Sequence, residues 1–399
     1  MRAEAPGPGE PISRKPLSRR ECSRETRGIA GPTFQTDSMI SALKKRVVTP
    51  LTASFDRAMS VVIFGRSEAS KAKSRAESLG PQERIRSLAE VEAFYDTPEY
   101  LANADAFFPR VGADDLRETR VGRIGTDGTI VDLRWHSALV PLSDDPEVRR
   151  RLEERADVNH TAIVRMFAHL DRPRPALVLL HGYMGGIFAV EELAFPVRWL
   201  YERGLDVVLA VMPHHGPRGI RGRRPLLPSS DPRITIESFR HAIVDLRTLT
   251  SVLRARGAPA VGAMGMSLGG YATALLSTVE PLDFAIPLIP LASIADFARD
   301  GDRLIGTATQ RREQYDALDR AYCVVSPLSR PSLVDPTHTL VIAGDGDRIT
   351  PRGHAEKLAA HLRAPLHLFH GGHLIQLGRD EGFREVARML GRAGFLDPR

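Results

Sequence analysis

Between Ile85 and Tyr95 apolar residues recur at helical spacing (Ile85, Leu88, Val91, Phe94, Tyr95), and Pro81 and Pro98 bracket the run, which predicts a helix. Ser67 to Leu79 is small, polar and charged, and the pattern from Met39 to about Asp115 is mainly helical. At Arg117 the period changes. Thr119–Ile124 and Thr129–Trp135 alternate on either side of Gly125-Thr126-Asp127-Gly128, the signature of a β-hairpin, and Asn159 to His169 reads as a further strand. Beyond it, short buried runs alternate with helical stretches. The runs are Ala176–Leu180, Val207–Met212, Val261–Met264, Phe284–Leu288, Thr339–Ala343 and Leu366–Phe369. A short helix is expected between Pro196 and Arg203, stopped by Gly204. A long one runs from Ile234 to Arg256, with the stripe Ile236, Phe239, Ile243, Leu246, Leu249, Leu253 and a stop at Gly257. Strands alternating with helices predict an α/β domain: a mostly parallel central sheet with helices on both faces.

Residues 1–38 lack this periodicity. They are rich in Pro, Gly, Ser and Arg and read as a disordered tail without the apolar core of a signal peptide. Met39 opens the more structured part, so the tail reads as an addition to the domain, dispensable for stability and activity. The division expected is therefore a tail at 1–38, an extra N-terminal helical segment at 39–115 and the α/β domain at 116–399. The run Met59 to Phe64 is too short to span a bilayer, and no stretch of about 18 apolar residues occurs, so no stable membrane insertion is expected.

Charge changes the picture only in the tail. The formal net charge is +6, and residues 1–50 carry ten Lys or Arg against five acids, leaving the rest nearly neutral. A nucleic-acid binder needs a basic face on its folded part, and none is visible. Two cysteines cannot make a disulfide framework, which fits a reducing, cytoplasmic setting. Neither a phosphate-binding loop nor a dinucleotide fingerprint is present, so no cofactor is expected. His367, His370 and His373 are spaced by three, but a strand turns His367 away from His370 and no carboxylate or cysteine accompanies them, so no metal is expected. Arg221-Gly222-Arg223-Arg224 reads as a solvated loop rather than an anion site.

Gly265-Met266-Ser267-Leu268-Gly269-Gly270 carries the chemistry. A buried strand runs in and a helix runs out, the context of a nucleophile elbow. Glycines two before and two after Ser267 let strand and helix approach, and the serine stands at a helix N-terminus, where the dipole favours negative charge. An earlier strand ends in His181-Gly182-Tyr183-Met184-Gly185-Gly186, a loop suited to supply backbone N–H groups to an oxyanion. Leu268 supplies one N–H; Tyr183 or its neighbour Met184 supplies the other. His181 is read as a buttress of the loop. Asp345 and Asp347 follow one later strand and His373 follows the next, where a parallel sheet places its ligand loops. A histidine there would take the serine proton while an aspartate fixes its tautomer.

These blocks, in this order, resemble the α/β-hydrolase superfamily, with its esterases, lipases, thioesterases and peptidases, over residues 117–399. The resemblance implies a serine hydrolase that cleaves a carboxylic ester or thioester through an acyl-enzyme. The triad would be Ser267, Asp347 and His373, and the oxyanion hole Tyr183 and Leu268. Asp347 is implied over Asp345 because Gly344, Asp347, Ile349 and Pro351 match the family's spacing. Met184, Met266 and His215 are the expected substrate contacts, and the partner a small acyl molecule. Met212-Pro213-His214-His215-Gly216-Pro217-Arg218-Gly219 departs from relatives with an acid and G-x-G there; it reads equally as a pocket-shaping segment or a turn with solvated arginines. Ile294 to Val334 falls where relatives insert caps, implying a small helical lid and a confined pocket for short or medium acyl chains. An acyltransferase with the same triad and a non-catalytic binding protein are the other functional classes.

Overall fold

The computed structural model describes residues 48–57, 79–137 and 139–396. The disordered tail expected at 1–38, the polar run at 67–78 and the apolar run at 59–64 lie outside them. Nine strands of the described residues form one sheet: β1 (Arg117–Ile124), β2 (Gly128–His136), β3 (Thr161–His169), β4 (Ala176–Leu180), β5 (Asp206–Ala210), β6 (Val261–Met266), β7 (Phe284–Leu288), β8 (Val341–Gly344) and β9 (Leu366–Phe369). Their spatial order is β1-β2-β3-β5-β4-β6-β7-β8-β9. β1, β2, β3 and β5 pair antiparallel, and β5, β4, β6, β7, β8 and β9 pair parallel. The alternating hairpin 117–136 is thus the antiparallel margin of a mostly parallel sheet.

Sequence explains the placement. β4 reads Ala-Leu-Val-Leu-Leu and is buried throughout, because helices cover both faces of a central parallel strand. Its side chains alternate: Val178 and Leu180 join one core, Leu177 and Leu179 the other. β1 is mostly exposed and charged, as suits an edge that must not recruit another strand.

The helices used below are α1 (Pro81–Tyr95), α2 (Pro232–Ala255), α3 (Leu268–Ser277), α4 (Ile294–Asp300), α5 (Ala308–Ala321), α6 (Arg352–Leu362) and α7 (Arg379–Arg392). α2 begins two residues before the expected Ile234, since the Asp231 side chain accepts from Arg233 N and Pro232 suits a first helical turn. α3 starts at Leu268, directly after Ser267, because the strand launches it without an intervening loop. Between β4 and β5 there are two short helices, Phe188–Ala194 and Val197–Tyr201, where the sequence pattern shows only the second. α2 and α3 cover one face and α7 the other.

The N-terminal helices belong to this core. Tyr95, Phe107 and Phe108 are fully buried in the same cluster as α2 and α3. Tyr95 Oη donates to Glu237 (2.7 Å), and Arg240 Nε of α2 donates to the Phe107 carbonyl (2.7 Å). The expected lid segment is helical, as α4 and α5. It packs against α1, with Arg320 to Glu92 at 2.9 Å, and reaches α6 through Asp296 and Lys357. No helix among the described residues is long and apolar enough to cross a membrane.

Candidate active site

Ser267 stands at the turn from β6 into α3 with φ 58° and ψ −111°, backbone that a non-glycine residue adopts only where its surroundings force it. The surroundings are specific. A Cβ on Gly265 would lie 2.1 Å from the Gly269 carbonyl oxygen, and one on Gly269 would lie 2.2 Å from the Leu180 carbonyl oxygen. Both glycines of the motif are therefore required by close approach. Ser267 N donates to Leu288 O (3.0 Å), and its carbonyl accepts from Tyr271 N (3.1 Å) and Leu291 N (3.2 Å), which pins the elbow to β7 and α3. The side chain is half-buried.

The loops after β8 and β9 bring the aspartate and histidine together. Asp345 N donates to Phe369 O (2.8 Å) and Gly346 N to Gly371 O (3.0 Å), so the two loops are tied backbone to backbone. His373 Nδ1 donates to Asp347 Oδ2 at 2.7 Å, and both side chains are buried. Asp347 Oδ1 accepts from Ile349 N and Thr350 N, each at 2.8 Å, a local turn that fixes the carboxylate. Thr350 Oγ1 donates to the Ile289 carbonyl (3.0 Å) and lies 3.1 Å from both Asp347 Oδ2 and His373 Nδ1. Burial alone would lower the His373 pKa. The charge and hydrogen bond of Asp347, with the charge of Asp56, outweigh it and hold the imidazole above its ordinary value. Asp345 instead lies 3.6 Å from the Arg352 guanidinium. Gln376 joins the histidine loop to the elbow: its Nε2 donates to His373 O (2.9 Å) and lies 3.3 Å from Met266 Sδ.

The loop after β4 lies beside the nucleophile. A Cβ on Gly182 would sit in ordinary contact, 3.6 Å, with Ser267 Cβ. His181 is buried; its Nε2 accepts from Met212 N (3.1 Å), so Nδ1 carries the proton and donates to Gly182 O (2.8 Å). Burial pushes its pKa down to about 4, leaving it neutral, a strut beneath the loop. Buried Glu191 accepts from Gly186 N (2.8 Å) and holds the loop's far end. Leu268 opens α3, so its N–H has no intrahelical acceptor. Tyr183 is half-buried, with its ring edge-on to His215 at 6.1 Å, and Met184 is exposed with φ 68°.

Residues 255–385 match the prolyl oligopeptidase family, a stretch that contains Ser267, Asp347 and His373. The acetyl xylan esterase 1 of Thermoanaerobacterium sp. JW/SL YS485 superposes with a TM-score of 0.51 at 15% identity, over 75% of this chain and 98% of that one. The acetyl xylan esterase of Paenibacillus sp. R4 does so with 0.51 at 14%, over the same shares. The chain has the α/β-hydrolase fold. A curated relative, the uncharacterized protein Rv2627c of Mycobacterium tuberculosis (strain H37Rv), is 29% identical over 317 residues, 76% of this chain and 74% of the relative.

The segment after β5 is not a turn with solvated arginines. Arg218 is not solvated: it is 1% exposed, and Nη1 donates to Asp245 Oδ2 (2.7 Å) and Val211 O (3.0 Å), while Nη2 donates to Asn159 O (2.8 Å). His215 is fully buried, its Nδ1 held by Pro213 O (2.9 Å), and its ring packs on His181. It is thus packed against the His181 and Tyr183 rings of the β4 loop with no surface open to solvent. Met266 is half-buried beside Gln376 and Met184 is exposed. Sequence reasoning missed Thr350, Glu191 and Asp56, which act on backbone groups and carry no motif of their own.

Proposed function

We propose that this α/β-hydrolase is a serine hydrolase cleaving a carboxylic ester or thioester of a small acyl molecule through an acyl-enzyme. The observation that carries the reading is the buried Asp347–His373 pair at 2.7 Å, on loops joined to the strained Ser267 elbow. With Nδ1 engaged by Asp347, Nε2 is the nitrogen left to take the Ser267 proton as Oγ attacks the acyl carbon. Charge on the tetrahedral oxygen falls to Leu268 N–H and to the Tyr183 loop, in the positive field at the start of α3. The imidazolium then protonates the departing alkoxide or thiolate. Water, deprotonated by the same histidine, attacks the acyl-enzyme and releases the acid. An acyltransferase would use the same intermediate with an alcohol or amine in place of water.

A second reading, cleavage of peptide bonds, is favoured by the match of residues 255–385 to the prolyl oligopeptidase family. A panel of acyl esters and thioesters of graded chain length, run beside peptide amides, separates the two. Turnover of short and medium acyl esters is expected, falling off toward long chains, on the reading that the Ile294–Val334 segment is a cap that confines the pocket. Peptide turnover exceeding that of every ester contradicts the proposal.

A further inference from the structure

We propose that Asp56 is a positioning residue for the Ser267–Asp347–His373 machinery, with residues 48–57 acting as a strap across the acid and base loops. The inference rests on the function proposed above. Residues 48–57 are helical and precede the sheet in the chain, yet they lie on both loops. Asp56 is fully buried. Its Oδ2 accepts from His373 N (2.6 Å) and Arg348 N (3.3 Å), and its Oδ1 accepts from Leu374 N (3.1 Å). One carboxylate therefore binds the backbone of the base itself, of the residue after it, and of the residue after the acid. Charge-assisted bonds of this kind are stronger than those between neutral groups, and they fix a separation that two independent loops would otherwise sample.

The rest of the strap repeats the contact. Thr49 Oγ1 donates to His370 O (3.1 Å). A Cβ on Gly346, in the acid loop, would fall 2.6 Å from Thr52 Oγ1; one on Gly372, in the base loop, would fall 2.6 Å from Asp56 Oδ2. Each loop thus carries a glycine where the strap rests. A buried helix cap or a solvated acid would not touch the amide of the catalytic base.

The second effect is electrostatic. His373 is faced by Asp347 and Thr350 from the acid loop and by Asp56 from the strap, and both carboxylates favour its protonated form. The charged groups nearest along these elements are Arg348 beside Asp347, Arg57 beside Asp56, and Arg379, whose guanidinium donates to Gln376 Oε1 (3.3 Å). Asp56 thus adds negative charge beside the imidazolium formed during acylation.

The test compares full-length wild type, Asp56→Asn and Thr49→Val on an ester that wild type turns over, with active sites counted by a fluorophosphonate and folding checked by circular dichroism. In Asp56→Asn, kcat per titrated site is expected to fall about 10- to 100-fold with KM little changed, since a small misplacement of a catalytic group is enough for that. The acid limb of its kcat/KM profile is expected to move to lower pH by roughly half a unit to one unit, because the imidazolium loses a nearby negative charge. A purely structural role would lower the melting temperature but leave the limb in place. Should Asp56→Asn not fold, Thr49→Val removes one tether and keeps the charge; kcat is expected to fall severalfold with the limb unmoved. A folded Asp56→Asn with wild-type kcat and limb, or Thr49→Val with wild-type kcat, overturns the proposal. Wild type that neither turns over an ester nor labels at Ser267 defeats the proposed function instead, and is distinguishable because it is read before any variant.

Discussion

Asp347 divides its two carboxylate oxygens between two sets of donors. Oδ1 takes the Ile349 and Thr350 amides, and Oδ2 takes His373 Nδ1. Replacing it with asparagine leaves the shape but puts an amide where the imidazole N–H must be accepted, which favours the wrong tautomer and costs on the order of 10⁴ in kcat. Asp345, two residues away, faces Arg352, while the histidine ring is taken by Asp347. Asp345→Asn should therefore keep kcat within a few fold and lower stability by no more than about 1 kcal/mol. Measuring kcat and urea midpoints of the two variants side by side checks this; a dead Asp345→Asn with an active Asp347→Asn reverses the assignment. The pair also shows what was legible at this scale. Glycine spacing marks the loop and the family pattern picks the acid. The bond to Asp56 left no trace, because the partners lie 292 to 318 positions apart and the groups bonded are backbone amides, which nearly every residue has.

Among elements, the elbow is the best determined and the segment after β5 the least. Local rules suffice for the first: a buried strand, small residues at two fixed positions and a helix specify one geometry. The clash at Gly269 gives this a measurable form. Gly269→Ala places a methyl against rigid backbone at Leu180 and is expected to lower stability by about 1–3 kcal/mol and to abolish fluorophosphonate labelling. Gly391→Ala, on an exposed position of α7 with open space around its Cβ, serves as the control and should stabilise by roughly 0.5 kcal/mol. Equal melting temperatures for the two variants would contradict the packing argument. The second case depends on a distant element. Arg218 looks like a loop cation until Asp245 of α2 is placed beside it, and a pattern of residue types does not reveal which charge a helix will bury. For the same reason the helices at 81–107 could be read from periodicity, whereas their place in the core, through Tyr95 and Phe107, could not.

At the scale of the whole molecule, a mostly parallel sheet delivers three chemically distinct loops, after β6, β8 and β9, to one edge, and a segment from far earlier in the chain fastens two of them. On the proposed function, this edge carries a serine nucleophile activated by a buried His–Asp pair. The most direct measurement is covalent labelling by an alkyl fluorophosphonate, with the modified peptide identified by mass spectrometry and ester turnover followed in parallel. A label on Ser267 is expected in wild type, with labelling and turnover both lost in Ser267→Ala, the latter by on the order of 10⁴ or more in kcat. Undiminished labelling or turnover in folded Ser267→Ala would contradict the claim.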